Sequence, residues 1–249
     1  MKRKNLLILY YPLDDPIVSD PFCLLDIYRQ HGTGVIEIAL PTENPVLDGK
    51  TIRDSMTRVL HLKTMEEYFE DIAMISEKYP EMKIQLMAYY HLIEKFSLEK
   101  FAEKVKQCGV SYVLSPDAGP EKIKEMEMLL YPLGVSVIRI APCTLKQEEI
   151  ELFRNSRGYI FQRTTDGKTG ETHEISDNLR ENTKLLRENG INTPVVYAFG
   201  ISEKEQVAQA MKMGADGVVI GSALFPHISA GTVHEYLSNF DEWFKGGDL

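Results

Sequence analysis

Short, almost wholly apolar runs alternate with longer amphipathic ones along nearly the whole chain. Eight of the short runs read as strands: Leu6–Tyr10, Val35–Leu40, Lys83–Tyr89, Ser111–Leu114, Val135–Ile140, Tyr159–Gln162, Pro194–Tyr197 and Gly217–Ile220. Their apolar positions run consecutively instead of alternating, the pattern of strands covered on both faces. Between them apolar residues recur at helical spacing over Phe22–His31, Met65–Lys78, Leu98–Cys108 and Glu121–Tyr131. The same spacing continues over Gln147–Asn155, Asp177–Asn189, Glu203–Met213 and Val233–Phe244. Gly109, Gly190 and Gly214 stand just past three of these segments, where a left-handed residue ends a helix. Ser202 reads as an N-cap, with Glu203 and Glu205 in a first turn favoured by the helix dipole.

Eight strand–helix repeats within 249 residues match the count and length of a (β/α)8 TIM barrel. Six of the strands would also serve a doubly wound sheet. The regular spacing through to the last helix favours the barrel, as does the lack of a linker, low-complexity stretch or break in composition. A single TIM-barrel domain over 1–249 is therefore expected. In such a barrel the chemistry belongs at the C-terminal ends of the strands and in the loops that follow them.

Composition narrows the partners. Lys and Arg number 28 against 37 Asp and Glu, a formal net charge of −9. That argues against nucleic acid and membrane surfaces, both of which call for a basic footprint. It leaves open a small phosphorylated ligand, which a few backbone N–H groups can hold whatever the net charge. Cys23, Cys108 and Cys143 lie far apart with no CxxC pair, as expected of reduced thiols in the cytoplasm. The apolar run from Leu6 to Tyr11 is too short for a signal peptide, and no stretch approaches a membrane span of about 18 residues. The six histidines show no metal-ligand spacing, so no metal is expected.

Two features carry candidate chemistry. Glu37 stands in the middle of the apolar strand Val35–Leu40, where a carboxylate is costly to bury without a partner or a task. Desolvation there would raise its pKa and suit it to proton transfer. The second feature is a pair of glycine turns after the last two strands, Ala198-Phe-Gly-Ile201 and Gly221-Ser-Ala223. At these positions of a barrel, backbone N–H groups can grip a phosphate, and the Ser222 hydroxyl adds a donor. Two further segments are read less firmly from composition. Asp48, in Asp48-Gly49, reads by itself as an ordinary turn, and Arg163–Gly170 reads equally as a mobile lid or a solvated loop.

The motifs in order resemble those of the tryptophan synthase alpha chain family over nearly the whole chain. Val35-Ile-Glu-Ile-Ala-Leu-Pro-Thr-Glu-Asn-Pro-Val-Leu-Asp-Gly49 is similar to the family's IELGVPFSDPxADGP. Tyr197-Ala-Phe-Gly-Ile-Ser202 with Gly214-Ala-Asp-Gly-Val-Val-Ile-Gly-Ser-Ala223 is similar to its GFGIS…GADGxxxGSA. Asp15-Pro16, Pro116-Asp117 and Gly158-Tyr159 are weaker matches. The resemblance implies a lyase that cleaves indole-3-glycerol phosphate to indole and glyceraldehyde 3-phosphate without a cofactor. It implies Glu37 as the carboxylate that shuttles protons and Asp48 as the partner of the indole N–H. A desolvated Glu titrating nearer neutrality and a loop Asp that stays ionised would divide these roles. Tyr159 matches the family tyrosine near the catalytic glutamate, and Gly170, Phe199, Gly200, Gly221 and Ser222 match its phosphate site. Tyr10 and Tyr89 match positions lining the indole pocket, Tyr10 in place of a phenylalanine, and Thr169 matches the threonine of the closing loop.

The departures cluster. Thr42, Glu43 and Asn44 replace the first three residues of FSDP, Lys50 replaces the proline of DGP, and His91 replaces an asparagine. Ala198 replaces the first glycine of GFGI, and the loop holding Arg163–Gly170 is two residues longer. The loops after strands 2 and 3 are where the resemblance implies docking of a β chain, so the changes at Thr42, Glu43, Asn44, Lys50 and His91 weigh against that partnership. The strand pattern begins close to the start of the chain, so the family's N-terminal helix is expected to be absent or reduced to Met1–Lys4. Two alternatives follow. One is an alpha-like barrel that binds a phosphorylated ligand for regulation, with altered or lost catalysis. The other is a barrel enzyme acting on a different sugar phosphate.

Overall fold

Nine strand segments join into one parallel sheet in the computed structural model, which describes residues 5–165 and 178–245. They make eight barrel strands: β1 Leu6–Tyr11, β2 Val35–Ala39, β3 Lys83–Met87, β4 Tyr112–Leu114, β5, β6 Ile160–Arg163, β7 Val195–Ala198 and β8 Gly217–Ile220. β5 consists of Ser136–Val137 and Arg139–Ala141, which form the two ends of the row of paired strands. Only Ile138 separates them, so the row closes on itself as a (β/α)8 barrel. Closure abolishes exposed sheet edges, and β1, β2, β7 and β8 are buried almost throughout. That is why their apolar residues run without alternation. Met1–Lys4, the remnant expected of an N-terminal helix, lies outside the described residues. Among the described residues no helix is long and apolar enough to cross a membrane, and all three cysteines are free.

Helices Pro21–Gln30, Met65–Lys78, Leu98–Gln107, Pro120–Leu130, Asn178–Glu188 and Lys204–Lys212 cover the barrel where the periodicity places them. Asp20 caps the first through the amides of Phe22 and Cys23, and Thr64 forms a capping box with Glu67 on the second. Ser202 is not the N-cap of Lys204–Lys212. That position belongs to Glu203, and the Ser202 amide instead donates to Gln206 Oε1 at 2.8 Å. Gln147–Phe153 is a 3₁₀ helix whose buried residues are Ile150 and Phe153. Three residues per turn put that pair on one line, which an α-helix would not. The segment read as one helix over Val233–Phe244 breaks into Val233–Ser238 and Asp241–Phe244, and the break brings Asp241 to 2.6 Å from Nδ1 of the buried His31.

Three helices escaped the hydrophobic pattern: Lys50–Val59, Tyr90–Phe96 and Leu224–Ala230. In Lys50–Val59 the buried stripe is Ile52, Ser55, Met56 and Val59, and the serine breaks the apolar signal. Ser55 is there because it donates to Asp15 Oδ2 at 2.6 Å, beside two bonds from Arg58 and one from the Ile17 amide. Burial alone would raise the Asp15 carboxyl, but these donors together hold it below its ordinary value. The cluster pins the loop after β1 to the helix that follows Asp48. Arg58→Met leaves a buried carboxylate short of its cation, and about 2 kcal/mol of stability is expected to go. Denaturant midpoints measure it, and the deficit should shrink as pH falls through the carboxylate range and Asp15 protonates.

Candidate active site

A cavity of about 530 Å³ opens at the C-terminal ends of the strands. Tyr10, Glu37, Asp48 and Tyr89 line it on the β1–β3 side, and Phe199, Gly200, Gly221 and Ser222 line it on the β7–β8 side. Register accounts for the first group. Glu37 of β2 pairs with Tyr10 of β1 on one flank and with Gln85 of β3 on the other. Residues paired in this way point to the same face of the sheet, here the barrel interior.

Glu37 is 6% exposed. Burial and the nearby charge of Asp48 push its carboxyl up to about 8, partly opposed by a hydrogen bond donated by Gln85. It is therefore protonated at neutral pH and able to give a proton away. Asp48 sits on the loop before Lys50–Val59, where Tyr89 donates its hydroxyl to Oδ2 at 2.7 Å. The same Tyr89 oxygen accepts from the Leu47 amide at 3.1 Å, so the tyrosine fixes both the loop and the carboxylate. Asp48 is thus no ordinary turn residue.

The β7–β8 wall, next to β1, is made of backbone. Phe199 and Gly200 both take left-handed φ, +76° and +71°. That conformation is strained for phenylalanine, and side chains from elsewhere hold it. Thr164 donates to the Phe199 carbonyl, Gln206 to the Gly200 carbonyl at 2.8 Å, and Tyr236 to the Ser202 carbonyl at 2.8 Å. With the carbonyls tied down, the amides are left over. Among the described residues none of the N–H groups of Gly200, Ile201, Gly221 or Ser222 meets an acceptor. N–H groups left without an acceptor at a cavity wall can hold an anion.

Gly221 has no left-handed φ, and a Cβ there would meet only Tyr10 Cβ, at 4.0 Å. Neither backbone conformation nor packing demands glycine at this position, so its absent side chain keeps cavity space open. Thr169 and Gly170 lie outside the described residues. Tyr159 precedes β6, and it is buried away from the cavity wall. Its hydroxyl donates to Gln85 Oε1, so it reaches Glu37 only through that glutamine. On β6 it is Phe161 and Arg163 that line the cavity, Phe161 edge-on to Phe199 with ring centroids 5.9 Å apart.

Gln85 is the site residue that the sequence reading missed. Its signal was the one that marked Glu37, a polar residue inside an apolar strand, Ile84-Gln-Leu86. Among the described residues no group of three or more His, Cys, Asp or Glu side chains could hold a metal ion.

A (β/α)8 barrel whose mouth gathers a buried acid, a second carboxylate and two glycine turns in one cavity fits a barrel lyase working by acid–base chemistry. A model of the tryptophan synthase alpha chain family matches residues 1–241, and the chain belongs to that family. The tryptophan synthase alpha chain of Helicobacter pylori strain HPAG1 is 31% identical over 225 residues, which cover 89% of this chain and 84% of its own length. That of Methanosarcina mazei is 29% identical over 251 residues, covering 100% and 90%. Among solved structures, the tryptophan synthase α2β2 complex of Pyrococcus furiosus superposes with a TM-score of 0.82 at 26% identity, over 98% of this chain and 99% of that one. The chain is accordingly a lyase of the tryptophan synthase alpha type.

Proposed function

We propose that the cavity cleaves indole-3-glycerol phosphate, with Glu37 as the proton shuttle and Asp48 as the stabiliser of the indole cation. The observation that carries this reading is one cavity lined by both carboxylates and by the turns of Gly200, Ile201, Gly221 and Ser222, whose amides meet no acceptor among the described residues. The phosphate is held by the N–H groups of Gly200, Ile201, Gly221 and Ser222, with a contribution from the Ser222 hydroxyl. The indole ring lies on the Tyr10 and Tyr89 side, with its N–H toward Asp48. Glu37, protonated at neutral pH, gives its proton to indole C3, and positive charge develops on the ring nitrogen beside Asp48. The Glu37 carboxylate then takes the proton of the substrate hydroxyl next to the breaking bond. The carbon–carbon bond opens, its electron pair returns to the ring, and the hydroxyl carbon becomes the aldehyde of glyceraldehyde 3-phosphate. One proton leaves Glu37 and one returns, so the cycle balances.

Incubating the protein with indole-3-glycerol phosphate and measuring indole tests the reading directly, and no indole with or without a β chain would refute it. Asp48→Asn keeps the shape and the Tyr89 contact but removes the charge. It should lower kcat by about a hundredfold, with KM changed far less. An equal rise in KM would assign Asp48 to ground-state binding instead.

The assembly of the Pyrococcus furiosus protein supports a β chain as partner. Two of the departures on the docking loops bond to each other here: Thr42 Oγ1 and His91 Nε2 lie 2.7 Å apart. The changes on these two loops are thus coupled within this chain, and a β chain docking there would carry matching changes.

A further inference from the structure

Three buried polar side chains meet beneath the cavity: Glu37 of β2, Gln85 of β3 and Tyr159 ahead of β6. Gln85 is wholly buried, and both ends of its amide are engaged. Nε2 donates to Glu37 Oε2, while Oε1 accepts from the Tyr159 hydroxyl. Burial keeps that hydroxyl protonated, so it has one hydrogen to give and Gln85 takes it. The amide hydrogens of Gln85 are thereby turned toward Glu37. An apolar residue at this position would fill the space at no polar cost, whereas a buried amide is tolerated only where its groups are used.

The use lies in the two oxygens of Glu37. Oε2 already receives an N–H and has no room for a proton along the same line. Oε1 receives no donor from the described residues, and Glu37 lines the cavity. We propose that Gln85, oriented by Tyr159, is a positioning residue that occupies Oε2 of Glu37 and so presents the acid proton on Oε1, toward the substrate. The proposal rests on the reading of Glu37 as the catalytic acid.

The ionisable groups facing Glu37 are Asp48 from the loop after β2, Tyr10 from β1 and Tyr159, and no cation among the described residues adjoins it. Among the described residues Gln85 is thus the group that steadies the ionised form. Removing it must carry the titration to higher pH.

Gln85→Met and Tyr159→Phe in the full chain test this, with two readouts. The first is infrared titration of the Glu37 carboxyl, assigned by difference from Glu37→Gln and independent of turnover. The second is the pH profile of kcat/KM for cleavage. Gln85→Met should lower the Glu37 ionisation constant about tenfold, moving the titration and the alkaline limb up together by about one unit. Its kcat should fall as well, because either oxygen can then carry the proton. Tyr159→Phe should shift both readouts in the same direction by less. An unmoved carboxyl titration in both variants overturns the proposal, and if Gln85→Met fails to fold, Tyr159→Phe decides it. Normal cleavage by Glu37→Gln would sink the reading of Glu37 as the acid, while the infrared titration would still report whether Gln85 holds its carboxyl.

Discussion

Glu37→Gln is expected to lower indole release by about two to four orders of magnitude and, at the same time, to make the protein more stable above acidic pH. The first effect follows because an amide neither gives nor takes the proton. The second follows from burial, the first cause of the rise of the Glu37 carboxyl from 4.5 to about 8. In the unfolded chain it ionises near its ordinary value. Between those two limits the folded state therefore binds more protons than the unfolded one. Stability from this group is fully kept below that window. It falls as pH rises through it, by up to about 1.4 kcal/mol per unit, and stays level beyond. Glutamine has no such slope, and its side-chain oxygen can still accept from Gln85. Melting temperatures of the two proteins should nearly coincide at roughly pH 4 and diverge in favour of the variant up to roughly pH 8. Melting curves that stay parallel would remove the stored cost of the buried acid. A variant within about tenfold of the normal rate would remove its catalytic role.

That trade explains why Glu37 could be read from sequence. A carboxylate inside an apolar strand violates a local rule, and such violations gather at functional sites. The barrel was legible for a related reason: strands covered on both faces have no polar side to confuse their periodicity. What stayed hidden depended on contacts between elements distant in sequence. Lys50–Val59 was missed because Ser55 interrupts its stripe, and only the fold shows Asp15 waiting for that serine. Asp48 looked like a turn because nothing in Asp48-Gly49 foretells the Tyr89 hydroxyl 41 residues away. Tyr159 was matched to the right neighbourhood at the wrong depth. Motif order places it near the strand, on the same inward side as Phe161 two residues on, but one layer deeper, so Phe161 lines the cavity and Tyr159 lies below it. Gln85 carried the same signal as Glu37, yet its partners stand 48 and 74 residues off.

The amide wall yields the second large effect. Gly221→Asp should raise KM by at least about a hundredfold, whereas the isosteric Gly221→Asn should cost far less. A Cβ at this position meets only Tyr10 Cβ at 4.0 Å, so the first carbon of either side chain enters without moving the barrel. Both take the same cavity space, so their shared loss measures volume. Their difference measures charge alone. Two unit charges 4 Å apart repel by about 4 kcal/mol at an effective dielectric near 20, and a phosphate monoester carries up to two of them. Even half that repulsion, about 2 kcal/mol per phosphate charge, corresponds to about thirtyfold in affinity, and the second charge carries it well past a hundredfold. Binding of inorganic phosphate, followed by calorimetry, should be lost in Gly221→Asp and retained in weakened form in Gly221→Asn. Equal behaviour of the two variants would show that no anion approaches Gly221, and the phosphate would have to be held elsewhere in the cavity. Salt sharpens the comparison. A buried charge pair is screened little, so the gap between Asp and Asn should persist at high ionic strength if the phosphate sits against these amides, and should collapse if the anion stays out at the solvent-filled mouth.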